Sequence, residues 1–83
     1  MDTFVRVVGI LRDTLQLGPR AEGLTRESVL LGGIPEFDSM AVVTVVTMIE
    51  DELGVFIEDD ELSAEVFSTV GTLADFLDQK LAA

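Results

Sequence analysis

Apolar residues at the start of the chain recur at a spacing that brings them to one face of a helix. The intervals between them are three, one, three and four residues, and the residues are Phe4, Val7, Val8, Leu11 and Leu15. This period predicts an amphipathic helix whose apolar side must be covered by other parts of the chain. Asp2 or Thr3 is suited to cap its start. Gly18-Pro19 is expected to end it, because glycine accepts a left-handed conformation and proline cannot continue a helix.

The segment 39–54 supports two interpretations. It is rich in valine and threonine, whose branched side chains favour strands. The segment is nevertheless longer than a typical strand, and Gly54 stands where glycine commonly follows a helix end. Apolar residues also recur at helical spacing, at Met40, Val43, Val46, Ile49 or Glu50, and Leu53. We therefore interpret this segment as a second helix.

The last third of the chain predicts a short helix followed by a longer one. The acidic run 58–61 suits the positive end of a helix macrodipole, and the short helix is expected to continue to Val66. Ser68 or Thr69 is suited to cap the final helix, and Lys80 falls favourably in its last turn. The apolar stripe of this helix consists of Val70, Leu73, Ala74, Leu77 and Leu81.

Together these segments predict an all-α fold, a small four-helix bundle with three longer helices, one short helix and a long first loop. The loop spans residues 18–38, which exceeds the roughly 12–15 residues that usually bound a structureless connection. A short helical turn is expected near 25–31. The loop is expected to anchor on the core through Val29, Leu30, Leu31 and Ile34. A chain of 83 residues predicts one domain, over 1–83.

Acidic residues dominate the charge of the chain and exclude several classes of partner. Five lysines and arginines stand against 16 aspartates and glutamates, for a formal net charge of −11. No basic stripe is available to bind nucleic acid, and an anionic membrane would repel the chain. Residues 27–79 contain 13 acids and no base. This block is either a solvated surface that keeps the protein soluble or a docking face for basic partners.

The absence of both cysteine and histidine limits the chemistry that side chains can perform. It removes disulfides, zinc fingers, thiol nucleophiles and the commonest general base. Asp59-Asp60 belongs to a run of four acids on a polar stretch, unlike carboxylates tuned for acid–base catalysis. Neither acidic cluster, 50–52 or 58–61, matches the pattern of a calcium loop. We therefore expect no catalytic residue and no metal site.

Two features of the chain bear on membranes and location. The longest stretch without a charge, 39–49, has 11 residues, against the roughly 20 that are needed to cross a bilayer. An early acid and two arginines interrupt the apolar N-terminal segment, which is not typical of a signal peptide. We expect a cytoplasmic protein with no membrane insertion.

Asp38-Ser39-Met40 lies where the long loop meets the second predicted helix. Asp and Ser are ordinary helix caps, and capping alone would explain them. A hydroxyl at a helix start is also a favourable place for a phosphate, because the free amides and the helix dipole favour an anion there.

The chain resembles acyl carrier proteins over nearly its whole length, from the amphipathic first helix and the long loop with its glycines and prolines to three later segments. Asp38-Ser39-Met40 resembles the Asp-Ser-Leu that opens the second of four helices in that family. Residues 49–60, IEDELGVFIEDD, are similar to the family's Leu-Glu-Glu-x-Phe/Leu-Gly-Val-x-Ile-x-Asp-Glu stretch. Residues 68–77, STVGTLADFL, resemble its fourth helix, Thr-Val-Gly-Asp-Leu-Val-Asp-Tyr-Ile.

This resemblance implies a covalent cofactor on Ser39. A separate phosphopantetheinyl transferase would transfer 4′-phosphopantetheine from coenzyme A to that serine through a phosphodiester. The thiol of the arm would hold acyl groups as thioesters, so the protein would be a carrier and no enzyme. The further partners implied are acyl-activating ligases, acyltransferases or ketosynthase-type enzymes, and the protein is expected to be a monomer.

The resemblance also suggests a shelter for a short acyl chain within the bundle. Its expected wall residues are Val43, Val46, Ile49, Leu30, Leu31 and Ile34. The same residues are needed for the core in any case, so this interpretation and a plain core both remain open.

Several positions depart from the family pattern and bear on the choice of partner. Pro35-Glu36 stands where Leu-Gly is common, and Met40 replaces leucine, which it matches in volume. Ala41 and Thr44 occupy positions that are usually acidic in fatty-acid carriers. These departures favour a dedicated carrier of a specialised fatty-acid, polyketide-type or exopolysaccharide-associated pathway. The alternatives are a peptidyl carrier for amino acids, or an acidic helical interaction module in which Asp38-Ser39 is only a cap.

Overall fold

The structure, a computed structural model, describes residues 2–30, 32–34 and 37–82. Over these residues the chain forms helices α1 (Thr3–Leu15), α2 (Ser39–Leu53) and α3 (Val70–Ala82). Two 3₁₀ helices, Gly18–Gly23 and Asp59–Glu61, lie in the connections. The predicted all-helical bundle is confirmed. In the described part of the chain, no helix has the length and apolar character that crossing a bilayer requires.

Helix α1 packs against both other α-helices and forms the centre of the bundle. Asp2 caps its start, since the Asp2 carboxylate accepts the Phe4 backbone N–H at 3.1 Å. The helix ends at Gln16, which adopts a left-handed conformation with φ 55°, and not at the predicted Gly18-Pro19. Pro19 instead lies at the start of the first 3₁₀ helix, where its missing N–H costs nothing.

The core is built from one face of each α-helix together with anchors from the connections. Leu30, an expected anchor, is fully buried, and Ile34 is partly buried against the core. Val29 is half exposed, so the expectation for that residue is wrong. Leu31, Pro35 and Glu36 lie outside the described residues. The buried hydrophobic residues are Val7, Ile10, Leu11, Leu15, Leu17, Ala21, Leu30, Phe37, Val45, Val46, Ile49, Ile57, Phe67, Val70, Leu73, Ala74 and Leu77.

The long first loop is held to the start of α3 by backbone hydrogen bonds. The Leu30 N–H donates to the Ser68 carbonyl at 2.9 Å, and the Val70 N–H donates to the Ser28 carbonyl at 3.0 Å. The Gly71 N–H donates to the carbonyl of Arg26 at 2.8 Å. These bonds satisfy backbone groups that a free loop would leave to water. The loop that leads to Ser39 is therefore fixed to the start of α3.

The segment between α2 and α3 is less helical than predicted. The acidic run forms only the short 3₁₀ helix Asp59–Glu61, and the chain continues as turns over 64–67. Thr69 caps α3, as expected, because its hydroxyl oxygen accepts the Thr72 N–H at 3.1 Å. Lys80, in the last turn of α3, forms an ion pair with Glu61. This pair ties the 3₁₀ helix to α3.

Candidate functional site

Ser39 is the first residue of α2, and its side chain is exposed. The capping role belongs to its neighbour. The Asp38 carboxylate accepts the Ala41 N–H at 2.9 Å, while the Asp38 carbonyl accepts the Val42 N–H at 3.0 Å. Because Asp38 supplies the cap, the helix does not need the Ser39 hydroxyl for this purpose. The sequence allows Asp38-Ser39 to cap the helix or to carry a phosphate. Asp38 takes the capping role.

The surroundings of Ser39 suit an attached phosphate. The first turn of α2 contains no acidic residue, and the positive end of the helix dipole lies there. The N–H groups of a helix's first turn have no partners within the helix and favour an anion. An exposed hydroxyl at this place therefore fits a phosphodiester, whose single negative charge would meet the helix start.

Phe37 fixes the chain two residues before Ser39. Its side chain is 4% exposed, and its ring centroid lies 5.9 Å from that of Phe67. The Phe37 N–H donates to the Ile34 carbonyl at 2.9 Å. The end of the loop is thus anchored in the core by an aromatic contact. This anchor sets where α2 begins and so presents Ser39 at the surface.

The apolar face of α2 differs from the predicted stripe. Helical spacing through Met40, Val43 and Val46 predicts that all three face the core, but Met40 is 79% exposed and Val43 is 66% exposed. The buried residues are Val45, Val46 and Ile49. The segment carries apolar residues on nearly every side of the helix, so their spacing alone does not select the inner face. Val43 is therefore not a wall residue of an acyl shelter, whereas Val46, Ile49 and Leu30 lie in the packed core.

Two of the acids that the sequence assigns to a docking surface have internal partners. The Glu50 carboxylate accepts the Ile57 N–H at 2.9 Å, and the Glu50 side chain is half-buried. Glu61 accepts the Glu58 N–H at 3.0 Å and pairs with Lys80. The hydrogen bond with Lys80, followed by that with the Glu58 backbone, lowers the pKa of Glu61. No sequence pattern indicates the contact of Glu50 with Ile57 or that of Glu61 with Lys80, because both depend on how the chain turns after α2.

Neither of the two largest open grooves described here is lined by Ser39. An open groove of about 550 Å³ lies between α1 and the first 3₁₀ helix and reaches Glu52. Another, of about 720 Å³, runs beside α3 and is lined in part by Val66 and Phe76. Across the described ranges, no cluster of acidic side chains has the arrangement of a metal site. The distinguishing feature of the site is therefore the exposed serine at the start of α2.

Comparisons with known proteins identify the class of this site. The family described as "Phosphopantetheine attachment site" matches residues 36–77, a range that contains Ser39. The chain is similar to a holo acyl carrier protein from Nitrosomonas europaea, solved by solution NMR. The two are 49% identical, the match covers 100% of each chain, and the TM-score is 0.93. A search of curated proteins finds no match.

The chain therefore belongs to the phosphopantetheine-binding family of acyl carrier proteins. Its cofactor is a covalently bound 4′-phosphopantetheine, and its role is that of a carrier. Members of this family work with a phosphopantetheinyl transferase and with enzymes that handle acyl groups.

Proposed function

We propose that Ser39 is the residue that carries the 4′-phosphopantetheine arm. The observation that supports this most directly is the exposure of Ser39 at the first position of α2, next to a separate capping residue, Asp38. In the transfer, the Ser39 hydroxyl oxygen forms a bond to the phosphorus next to the pantetheine of coenzyme A. The diphosphate bond breaks, adenosine bisphosphate leaves, and the hydroxyl proton passes to a base of the transferase.

With the arm in place, the protein would hold acyl groups as thioesters and present them to other enzymes. The acyl-handling partners proposed are activating ligases, acyltransferases or ketosynthase-type enzymes. The chain itself has no cysteine or histidine, so the thiol chemistry would belong to the arm. A net charge of −11 makes copies repel one another, which supports a monomeric carrier.

We further propose that the carrier serves a specialised pathway. Ala41 and Thr44 leave the α2 surface near Ser39 without acids, and Thr44 is exposed. In housekeeping fatty-acid carriers these positions are usually acidic. A fatty-acid, polyketide-type or exopolysaccharide-associated pathway with its own enzymes would account for the difference.

Mass spectrometry tests the attachment site. The purified protein is incubated with coenzyme A and a phosphopantetheinyl transferase of broad specificity. We expect the wild type to gain one phosphopantetheine, located on Ser39 by peptide fragmentation. Ser39→Ala should gain none, and Ser63→Ala, which removes another exposed serine hydroxyl, should gain as much as the wild type. An unmodified wild type, or a modified Ser39→Ala, would contradict the proposal.

A further inference from the structure

Met40 places a sulfur atom at the surface beside Ser39. Its side chain is 79% exposed, the largest fraction among the exposed large hydrophobic residues of the described chain. The sequence has no cysteine and three methionines. Met48, further along α2, is partly buried against the core, and Met1 lies outside the described residues. Among the described residues, the Met40 thioether is therefore the sulfur most open to solvent.

The position of Met40 in α2 brings its side chain into the surroundings of Ser39. Met40 is the second residue of the helix, directly after Ser39. Side chains in a helix lean towards the helix N-terminus and cover the turn before their own Cα. The first turn of α2 also contains no acidic residue that would make this surface polar. The thioether is therefore part of the surface that surrounds the Ser39 hydroxyl.

An exposed thioether has a defined reaction with hydrogen peroxide. The sulfur lone pair attacks one peroxide oxygen, so that a sulfur–oxygen bond forms and the oxygen–oxygen bond breaks. The sulfur is oxidised to a sulfoxide, and the peroxide is reduced to water after proton transfer between its two oxygens. This change converts a flexible apolar side chain into a polar and chiral one, and specific reductases reverse it.

We propose that Met40 is a redox-sensitive modification site, which hydrogen peroxide oxidises to the sulfoxide, and that this sulfoxide slows attachment of the arm to Ser39. The second half of the inference rests on the proposed attachment to Ser39. An enzyme that brings coenzyme A to the Ser39 hydroxyl must displace water from the surroundings of that hydroxyl, which include Met40. A thioether loses its water at little cost, whereas a sulfoxide oxygen that is buried without a donor destabilises the complex.

Peptide mapping tests the first half of the inference. The protein without its arm is treated with hydrogen peroxide for a series of times, the peroxide is removed with catalase, and the oxidised peptides are quantified by mass spectrometry. We expect the sulfoxide to form at Met40 at least about fivefold faster than at Met48, because Met48 is partly buried. Oxidation of Met48 at the same rate as Met40, or faster, would overturn the assignment.

Kinetics of arm attachment test the second half. The transferase and coenzyme A are added after the peroxide has been removed, and kcat/KM is compared with that of the same protein left untreated. Oxidised wild type should lose about tenfold. Met40→Leu keeps the volume but has no sulfur at this position, so its treated sample should lose less than about twofold. Met48→Leu is the matched control, which keeps Met40 and should lose as much as the wild type. An equal loss in Met40→Leu and wild type would contradict the inference.

Repair of the sulfoxide separates this effect from general damage. Methionine sulfoxide reductases for both epimers, with a dithiol reductant, should restore kcat/KM, and the thermal melt should be the same before and after oxidation because Met40 is exposed. A rate that stayed low after Met40 had been reduced would overturn the second half. If untreated wild type gained no arm, the attachment proposal would fail together with that half, and the peptide map would still decide the first. If untreated and oxidised wild type were modified equally fast, only this inference would fail.

Discussion

The rings of Phe37 and Phe67 lie 5.9 Å apart, centroid to centroid, with an interplanar angle of 40°. Both side chains are almost fully buried. Phe37 stands two residues before Ser39, and Phe67 stands three residues before α3. The contact therefore links the start of the helix that presents the serine to the segment that precedes the last helix.

Replacing one ring of this pair tests how much the contact stabilises the fold. Phe67→Leu keeps the site apolar but removes the aromatic pair, and we expect the free energy of unfolding to fall by about 1 kcal/mol. The measurement is urea denaturation. Phe56→Leu is the control, because Phe56 is 71% exposed, and it should change stability by less than about 0.5 kcal/mol. An equal loss of unfolding free energy in the two variants would show that the contact between the buried rings does not stabilise the fold.

Substitutions of Asp38 and Ser39 are expected to differ in their effect on the stability of the unmodified protein. Asp38→Ala removes the carboxylate that accepts the Ala41 N–H and should lower the free energy of unfolding by about 1 kcal/mol. Ser39→Ala should leave stability within about 0.5 kcal/mol, because its side chain is exposed and is not the cap. Thermal and urea melts of the two unmodified proteins check this. A larger loss for Ser39→Ala than for Asp38→Ala would contradict the division of roles.

Two glycines in helices should respond to alanine in opposite directions. A Cβ built on Gly71 would lie 2.8 Å from the Arg26 carbonyl oxygen, a backbone atom. Gly71→Ala must therefore push the loop away from α3, at a cost of about 1–3 kcal/mol. At Gly9, in α1, the nearest atom is the end of the Arg12 side chain at 3.9 Å. Gly9→Ala should stabilise the protein by about 0.5–1 kcal/mol, because alanine favours helix.

Urea denaturation of both glycine variants provides the measurement. NMR chemical shifts at Arg26 and Ser28 should move in Gly71→Ala, since that variant disturbs the hydrogen bonds between loop and helix. Stabilisation by Gly71→Ala would mean that the loop is not fixed there.

Glu61 is expected to make stability depend on pH. Its hydrogen bonds with Lys80 and the Glu58 backbone lower its pKa in the folded protein. Such a carboxylate stabilises the fold at pH values above its unfolded pKa of about 4.3, and this contribution is lost as the pH falls through the lowered folded value. Glu61→Gln should therefore lower Tm near neutral pH, and the difference from wild type should disappear in strong acid.

Thermal melts over a series of pH values check the Glu61 prediction. Glu65→Gln is the control, because it removes one exposed acid from the turn that follows the 3₁₀ helix. It should not lower Tm near neutral pH, since it relieves repulsion among the acids. A difference between Glu61→Gln and wild type that stayed constant with pH would rule out the ion pair as its cause.

Local sequence patterns predict where the helices lie better than they predict which face of a helix is buried or where a helix ends. The stripe of α1 and the cap at Thr69 follow from spacing and residue type, and both are present. The inner face of α2 does not follow, because valine and methionine occur on both sides of the helix and only packing against α1 selects one. The sequence also does not predict that α1 ends at Gln16, since glycine is the usual residue in a left-handed conformation at a helix end.

The sequence likewise predicts only some features of the candidate site. The position of Ser39 at a helix start follows from the chain, as does the absence of acids from the first turn of α2. The internal use of the Glu50 carboxylate does not, because it reaches the Ile57 N–H beyond the end of α2. The Glu61–Lys80 pair does not either, because it joins residues that are 19 positions apart. These contacts arise from tertiary structure, and they reduce the acidic surface available to partners.

The composition of α2 has a consequence for the unfolded chain. Residues 40–49, MAVVTVVTMI, carry no charge and are dominated by residues that favour strands, so they are helical only within the bundle. When the protein unfolds, such a segment is prone to pair with copies of itself in cross-β aggregates. Glu50, Asp51 and Glu52 follow it directly and act as gatekeepers through charge repulsion. The charge of these three acids therefore protects refolding chains from aggregation through this segment.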